Sequence, residues 1–415
     1  MSECIATKLQ IEAMQTVMPL KPTDPRHSRR VSVPEKHGPG SSFRRRLHMI
    51  LCYNKASDDE SGWIVAGWIK ESLGRALIEN PVLAGRLRKG EDDDGDMEIV
   101  SNDCGVRLLE AQINITLAQF LHLKHKRVAE SELVFWEDVQ ESTPQYSPLF
   151  YIQVTNFNCG GYSIGISCSL FLADPFSMTS FLNKWSKIHC TMLSQADKPN
   201  KIPTFYFPNL RKPGTLPAHV PLDSSSTNDH PAATTRTVIF RLPTKISNSD
   251  KEIHKTLAAK CIEEAENKTS KRLSSRFTMF LKDSMEDVKV ESWLREDVFQ
   301  KPFSGLISGV DSLSWEDLGI DKICFKEDTK AVYFSCWISS IFGEDFVMIV
   351  PSPDDDEGRI IHGVDQNVLK PFGDWMRAGS RRAAAMSGQR WVALESTVDR
   401  QKWKSPAMEA DAAIR

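Results

Sequence analysis

The residues with the best claim to chemistry in this 415-residue chain lie in one short run, Ser167-Cys168-Ser169-Leu170-Phe171-Leu172-Ala173-Asp174. Asp174 precedes Pro175 and a stretch with Met178, Phe181, Leu182, Trp185 and Ile188 at three-four spacing. An Asp-Pro pair ahead of that pattern is a helix N-cap with proline at the first helical position. A carboxylate so placed accepts backbone N–H bonds, which is a structural role worth about 0.5–2 kcal/mol. Ser167 and Ser169 offer hydroxyls that could orient a ligand. On a strand they face away from Cys168 and Leu170. A proton acceptor is harder to find. His189 lies about 15 residues beyond Asp174, roughly 22 Å along the helix, and so points elsewhere. His254 and His362 have no local context tying them to the junction, and each reads as a surface or internally satisfied residue. The nine cysteines form no C-x-x-C pair, so no zinc site or secreted disulfide framework is expected and the thiols read as reduced. The acidic runs Asp92–Asp94 and Asp354–Glu357 sit in turns and read as solvated loop tips, with no metal expected at either.

The elements that must position this run are legible around it. Leu149–Thr155 and Tyr162–Cys168 are apolar runs parted by Asn158-Cys159-Gly160-Gly161, which predicts a β-hairpin. The strand Leu47–Asn54 comes after a Pro-, Arg- and Ser-rich lead, in which Arg44–Arg46 reads as solvated surface. Trp63, Ile64, Ala66, Gly67, Trp68, Leu73, Ala76 and Leu77 predict a helix that stops at Asn80-Pro81, because the residue before proline is pushed out of the α region. Gly105–Ala111 predicts a strand. Residues 201–236 are dense in Pro, Ser and Thr and read as a crossover between two domains, 1–200 and 237–375. Beyond it, Thr237–Leu242, Phe277–Leu281, Ala331–Ser339, Asp345–Val350 and Arg359–Val364 predict strands, and Lys251–Glu266 a helix. Residues 376–415 read as a tail of mixed charge.

Composition narrows the partners. The chain is 40% hydrophobic and 26% charged, with a net charge of −3, values of a soluble globular protein with no reason to bind nucleic acid. No charged residue occurs from Ser142 to Ala173. That span nevertheless carries prolines, asparagines, serines and a Gly pair in a strand-turn-strand pattern, so no membrane span is expected. The first residues carry Glu3, Lys8 and Glu12 without an apolar core, and no signal peptide is read. A cytoplasmic monomer is the resulting expectation.

Three stretches resemble the plant BAHD acyltransferases, which move an acyl group from a coenzyme A thioester to a hydroxyl or amine. WIVAGWIKESLGRALIENPVLAGRL (63–87) is similar to that family's first long helix and the segment after it. SPLFYIQVTNFNCGGYSIGISCS (147–169) is similar to its central strand pair. LADPFSMTSFLNKWSKI (172–188) is similar to the segment just beyond its H-x-x-x-D motif, and FVMIVPSPDDDEG (346–358) is a weaker match. The resemblance implies an α/β fold of two pseudo-symmetric, chloramphenicol-acetyltransferase-like domains joined by a long crossover, with the site at their interface. It also implies a coenzyme A thioester as substrate, with no resident cofactor.

Two departures bear on activity. If Asp174 is the Asp of H-x-x-x-D, the general base falls at Leu170, and leucine accepts no proton. Positioned base catalysis contributes about 10²–10⁴-fold, so the usual transfer is expected to be weak or lost. The family's D-F-G-W-G signature corresponds to Cys324-Phe325-Lys326-Glu327-Asp328, where only Phe325 fits. Three readings are open: an acyltransferase acting on an acyl donor and acceptor by positioning alone; a non-catalytic accessory protein of very-long-chain fatty-acid and wax elongation, like the family's eceriferum-type branch, partnered with elongase components and associated with the endoplasmic reticulum; or a lyase on the same scaffold.

Overall fold

The strands expected around the candidate junction assemble into the first of two sheets. The computed structural model describes residues 9–33, 43–55, 62–90, 96–124, 126–195, 203, 236–242, 251–270, 272–282, 287–299, 311–327, 329–339, 345–350 and 358–364. The expected crossover is described only at residue 203 and from 236 onward. The acidic runs 92–94 and 354–357 and the tail after 376 lie outside the described residues.

In chain order the strands are β1 (Leu9–Val17), β2 (Ser28–Ser32), β3 (Arg46–Tyr53), β4 (Arg86–Lys89), β5 (Met97–Val100), β6 (Val106–Ile113), β7 (Phe150–Phe157), β8 (Tyr162–Ser169), β9 (Arg236–Leu242), β10 (Arg276–Lys282), β11 (Val288–Leu294), β12 (Asp311–Leu313), β13 (Tyr333–Ile338), β14 (Asp345–Val350) and β15 (Gly358–Val364). The helices that pack on them are α1 (Gly62–Glu79), α2 (Leu117–Leu121), α3 (Lys126–Glu132), α4 (Pro175–Gln195) and α5 (Lys251–Thr269).

The molecule is mixed α/β with two sheet-rich bodies. A six-stranded sheet runs in the order β1-β6-β7-β8-β3-β13, and a nine-stranded sheet in the order β12-β9-β15-β14-β10-β11-β2-β5-β4. The two halves of the sequence trade strands. β13 comes late in the chain and pairs with β3 in the first sheet. β2, from the first hundred residues, pairs with β11 in the second and carries β5 and β4 with it.

β7 and β8 form the expected hairpin, antiparallel with Gly160 at φ +82 in the turn. Only a residue tolerant of the left-handed region closes it so tightly. Every residue of β3, β7 and β8 is buried, because both faces of this sheet are covered. One face carries Leu47, Met49, Leu51, Ile164, Ile166 and Cys168 into a core with Ala66, Ile69, Leu73 and Leu77 of α1 and Met178, Leu182 and Trp185 of α4. These helical positions recur at three-four spacing, and α1 packs against α4. The other face carries Ile50, Cys52, Ile113 and Phe157 against Leu117 and Phe120 of α2, Ala129 of α3 and Leu133. In the second sheet, Leu257, Ala258, Cys261, Ile262 and Ala265 of α5 pack on Phe277, Met279, Val347 and Ile349.

The expectation of solvated surface at Arg44–Arg46 holds for Arg44 alone, whose side chain is 52% exposed. Arg45 and Arg46 are fully buried, because the strand they open is interior and pairs with β8 and β13 on either side. Charge pattern alone cannot register that position.

Gly165 on β8 marks where the covering chain approaches most closely. A Cβ there would stand 1.8 Å from the Leu133 carbonyl oxygen and 2.9 Å from its carbonyl carbon. The obstacle is backbone and cannot rotate away. We therefore expect Gly165→Ala to destabilise the fold by about 3 kcal/mol, read as a lower midpoint in urea unfolding. A loss below about 1 kcal/mol would mean that the 133 backbone yields freely.

Candidate functional site

The junction between β8 and α4 is a turn of four apolar residues, and all four are buried. Leu170 is 2% exposed, and Phe171, Leu172 and Ala173 are no more open than 3%. Leu172 N and Ala173 N both donate to the Ser169 carbonyl, at 2.9 and 3.2 Å, and Leu170 N donates to the Arg45 carbonyl at 3.1 Å. The second sheet holds the turn from the other side. Arg29 of β2 donates through Nη1 to the carbonyls of Phe171 (3.1 Å) and Leu172 (2.7 Å). Phe171 stacks edge-on to Phe43 at 5.5 Å and lies 5.9 Å from Phe280. Phe280 meets Phe346 at 6.2 Å, with the Arg45 guanidinium 4.9 Å over that ring.

Asp174 caps α4 as the sequence implies. Its Oδ1 accepts from Phe176 N at 2.8 Å and Ser177 N at 3.0 Å, satisfying two of the donors a helix start leaves open. Sequence reasoning missed its second partner. Lys282 Nζ, at the end of β10, lies 2.8 Å from Asp174 Oδ2, with both side chains almost wholly buried. Burial pushes the Asp174 carboxyl upward, but Lys282 and the Ser177 donors outweigh it and hold the group below the usual carboxylate range. The carboxylate thus ties the first sheet's helix to the second sheet. The partner lies 108 residues away in sequence, and no local signal announces it.

Ser167 and Ser169 lie on the sheet face opposite Cys168, as strand alternation requires. The Ser167 hydroxyl accepts from Arg46 Nε at 2.7 Å, and the Ser169 hydroxyl accepts from Phe171 N at 3.3 Å. Cys168, between them, sits in the apolar core, where burial pushes its thiol up to about 12. It is no nucleophile at neutral pH.

Phe325, the one residue matching the second signature, is buried under α4. Its ring lies edge-on 4.7 Å from Trp185 and 5.5 Å from His189, and 6.2 Å from Tyr53. Tyr53 Oη donates to the Ile323 carbonyl at 3.0 Å, pinning the segment. His189 has the internal role expected of it: Nδ1 shares a 2.9 Å hydrogen bond with Ser72 Oγ, which also accepts from Trp185 Nε1 at 2.9 Å. Burial holds its imidazole down at about 3, against a smaller upward pull from the Trp68 backbone. His189 stays neutral and supports α1 against α4.

The junction is therefore a scaffold of caps, clamps and packed rings. The Leu170–Ala173 turn itself contains no group that can take or give a proton, and the charged groups against it are occupied in holding it. Among the described residues no cluster of His, Cys, Asp and Glu could hold a metal. No helix among them is long and apolar enough to cross a membrane.

Comparison with known proteins gives a consistent family. The model of the Transferase family matches residues 8–301. The Arabidopsis thaliana protein ECERIFERUM 26-like is 34% identical over 178 residues, 41% of this chain and 41% of that protein. A hydroxycinnamoyltransferase of Narcissus pseudonarcissus is 33% identical over 191 residues, 43% of this chain and 39% of that protein. The match thus spans about two fifths of the length of these curated relatives. Vinorine synthase, a solved structure, aligns at a TM-score of 0.43 and 14% identity over 86% of this chain and 95% of that one.

Proposed function

The chain belongs to the Transferase family, the plant BAHD acyltransferases, and from that membership we propose that it is a member whose base-catalysed acyl transfer is lost and which acts as an accessory protein of very-long-chain fatty-acid elongation. One observation carries this reading. If Asp174 is the Asp of H-x-x-x-D, the general base falls at Leu170, which is packed to 2% exposure in a turn held by the Arg45 carbonyl on one side and by Arg29 of the second sheet on the other. A leucine cannot accept the acceptor's proton. The likeness to ECERIFERUM 26-like protein supports the accessory role. On this reading the chain is a cytoplasmic monomer with two strand-exchanging domains, which engages elongase components at the endoplasmic reticulum. The retained scaffold serves to present a surface rather than to turn over substrate.

The likeness to hydroxycinnamoyltransferase supports a second reading, transfer from a coenzyme A thioester to a hydroxyl or amine. That reading asks for catalysis by positioning alone. The two are separated by co-expressing the chain with an elongase condensing enzyme and measuring product chain length. Acyl chains at least one elongation cycle longer than the condensing enzyme makes alone are expected, and they should persist in Leu170→Ala. Unchanged chain lengths would overturn the accessory reading.

A further inference from the structure

A second set of polar groups lies on the opposite face of the six-stranded sheet. The register sets Trp337, His48, Ser167 and Tyr151 side by side across β13, β3, β8 and β7, with Arg46 two residues before His48 on the same face. Arg46, His48 and Ser167 are fully buried, and Tyr151 is 1% exposed. The Arg46 guanidinium lies 5.1 Å over the Tyr151 ring. It donates to Ser167 Oγ at 2.7 Å and to the carbonyls of Leu149 and Ser167 at 2.8 and 3.2 Å. Every one of those acceptors is neutral. Its remaining Nη1, the Tyr151 hydroxyl and both ring nitrogens of His48 have no hydrogen-bond partner among the described residues. The carboxylate that Arg46 senses, Asp138, is 57% exposed and faces Arg44 at 3.7 Å.

This is an unusual concentration of unmet polar capacity. A buried cation that meets only neutral acceptors is costly, and so is each buried donor left unpaired. Burial, and then the Arg46 charge, hold the His48 imidazole well below its ordinary pKa; it is neutral and presents one donor and one acceptor. One guanidinium charge, one phenol donor and one neutral imidazole match a monoanion with two oxygens. A dianion would bring a second charge that this row does not balance. The cover is an irregular strap, residues 134–140. It brings Trp136 to 4.5 Å from His48 in a tilted arrangement, while Trp337 of β13 stacks on His48 at 5.1 Å.

We infer that this row is a binding site for a small carboxylate, held by Arg46 Nη1 and the Tyr151 hydroxyl beside neutral His48, and covered by the 134–140 strap. It lies on the sheet face away from α4 and does not depend on the loss of acyl transfer at Leu170. The test is calorimetric titration of the purified full chain with sodium acetate and sodium benzoate at constant ionic strength, with sodium chloride as the reference. Saturable one-to-one binding is expected, about tenfold weaker in Tyr151→Phe, which keeps the ring under Arg46 and removes only the hydroxyl. A crystal structure in acetate, expected to show the carboxylate on Arg46, decides the matter if that variant does not fold. Absence of saturable binding, equal affinity in a folded Tyr151→Phe, or a crystal structure with only water against Arg46 and Tyr151 would overturn the inference.

Discussion

Lys282→Met lowers the stability of this protein by about 3–5 kcal/mol at neutral pH, because it strands the Asp174 carboxylate in a buried site. The pair joins α4 to β10 at 2.8 Å with both partners shielded from water. Removing the ammonium deletes the main force that holds the carboxyl below its usual range, and leaves the desolvation that pushes it up. The effect carries a pH signature. With its pKa depressed in the folded protein, the wild-type carboxylate contributes stability that is complete above the unfolded value of about 4 and is lost as pH falls through the folded value. In Lys282→Met the charge becomes a liability instead, so the gap between variant and wild type is widest at neutral pH and narrows in acid. Urea unfolding at several pH values measures both. Adding Asp174→Asn to Lys282→Met should recover most of the loss, since asparagine also caps a helix and buries no charge. A pH-independent loss below about 1 kcal/mol would show the pair to be ornamental.

The parts of this architecture that were legible in sequence are those encoded by neighbours. The hairpin reads from a Gly-Gly turn between apolar runs, and α4 from Asp174-Pro175 ahead of a three-four stripe; both stand where expected. The end of α1 before Asn80-Pro81 reads the same way. What was not legible depends on chain brought from afar. β13 crossing into the first sheet and β2 into the second place Arg45, Arg46 and Arg29 inside the protein, where a run of arginines otherwise suggests solvent. His48 drew no attention as a lone histidine in an apolar strand. Its meaning comes from Trp136 and Trp337, which the strap and β13 bring from distant parts of the sequence. Lys282 sits one residue past the expected strand Phe277–Leu281, at its end facing Asp174.

The second large effect concerns rate. On the proposed reading a positioned base is lost, which removes about 10²–10⁴-fold from an acyl transfer, and the polar groups described around the turn are engaged elsewhere. Ser167 and Ser169 lie on the far face, engaged by Arg46 and the Phe171 amide. Cys168 is a protonated core thiol, and Asp174 is held by Lys282. His189 bonds to Ser72 beneath Phe325. Restoring an imidazole with Leu170→His should not bring transfer back either. The new side chain would occupy a buried position in the apolar core, where a polar ring is costly to bury. Transfer appearing in that variant alone would show that a path to residue 170 exists and that the packing of the turn is not a seal.

On the proposed reading, the β8–α4 junction keeps the frame of an acyl-transfer site without its reactive group. Coenzyme A release by the purified full-length chain, followed with a panel of acyl-CoA donors and hydroxyl and amine acceptors, tests this most directly. Release no faster than the uncatalysed reaction is predicted for every pair. Acceptor-dependent release well above that background by the wild-type protein would contradict it.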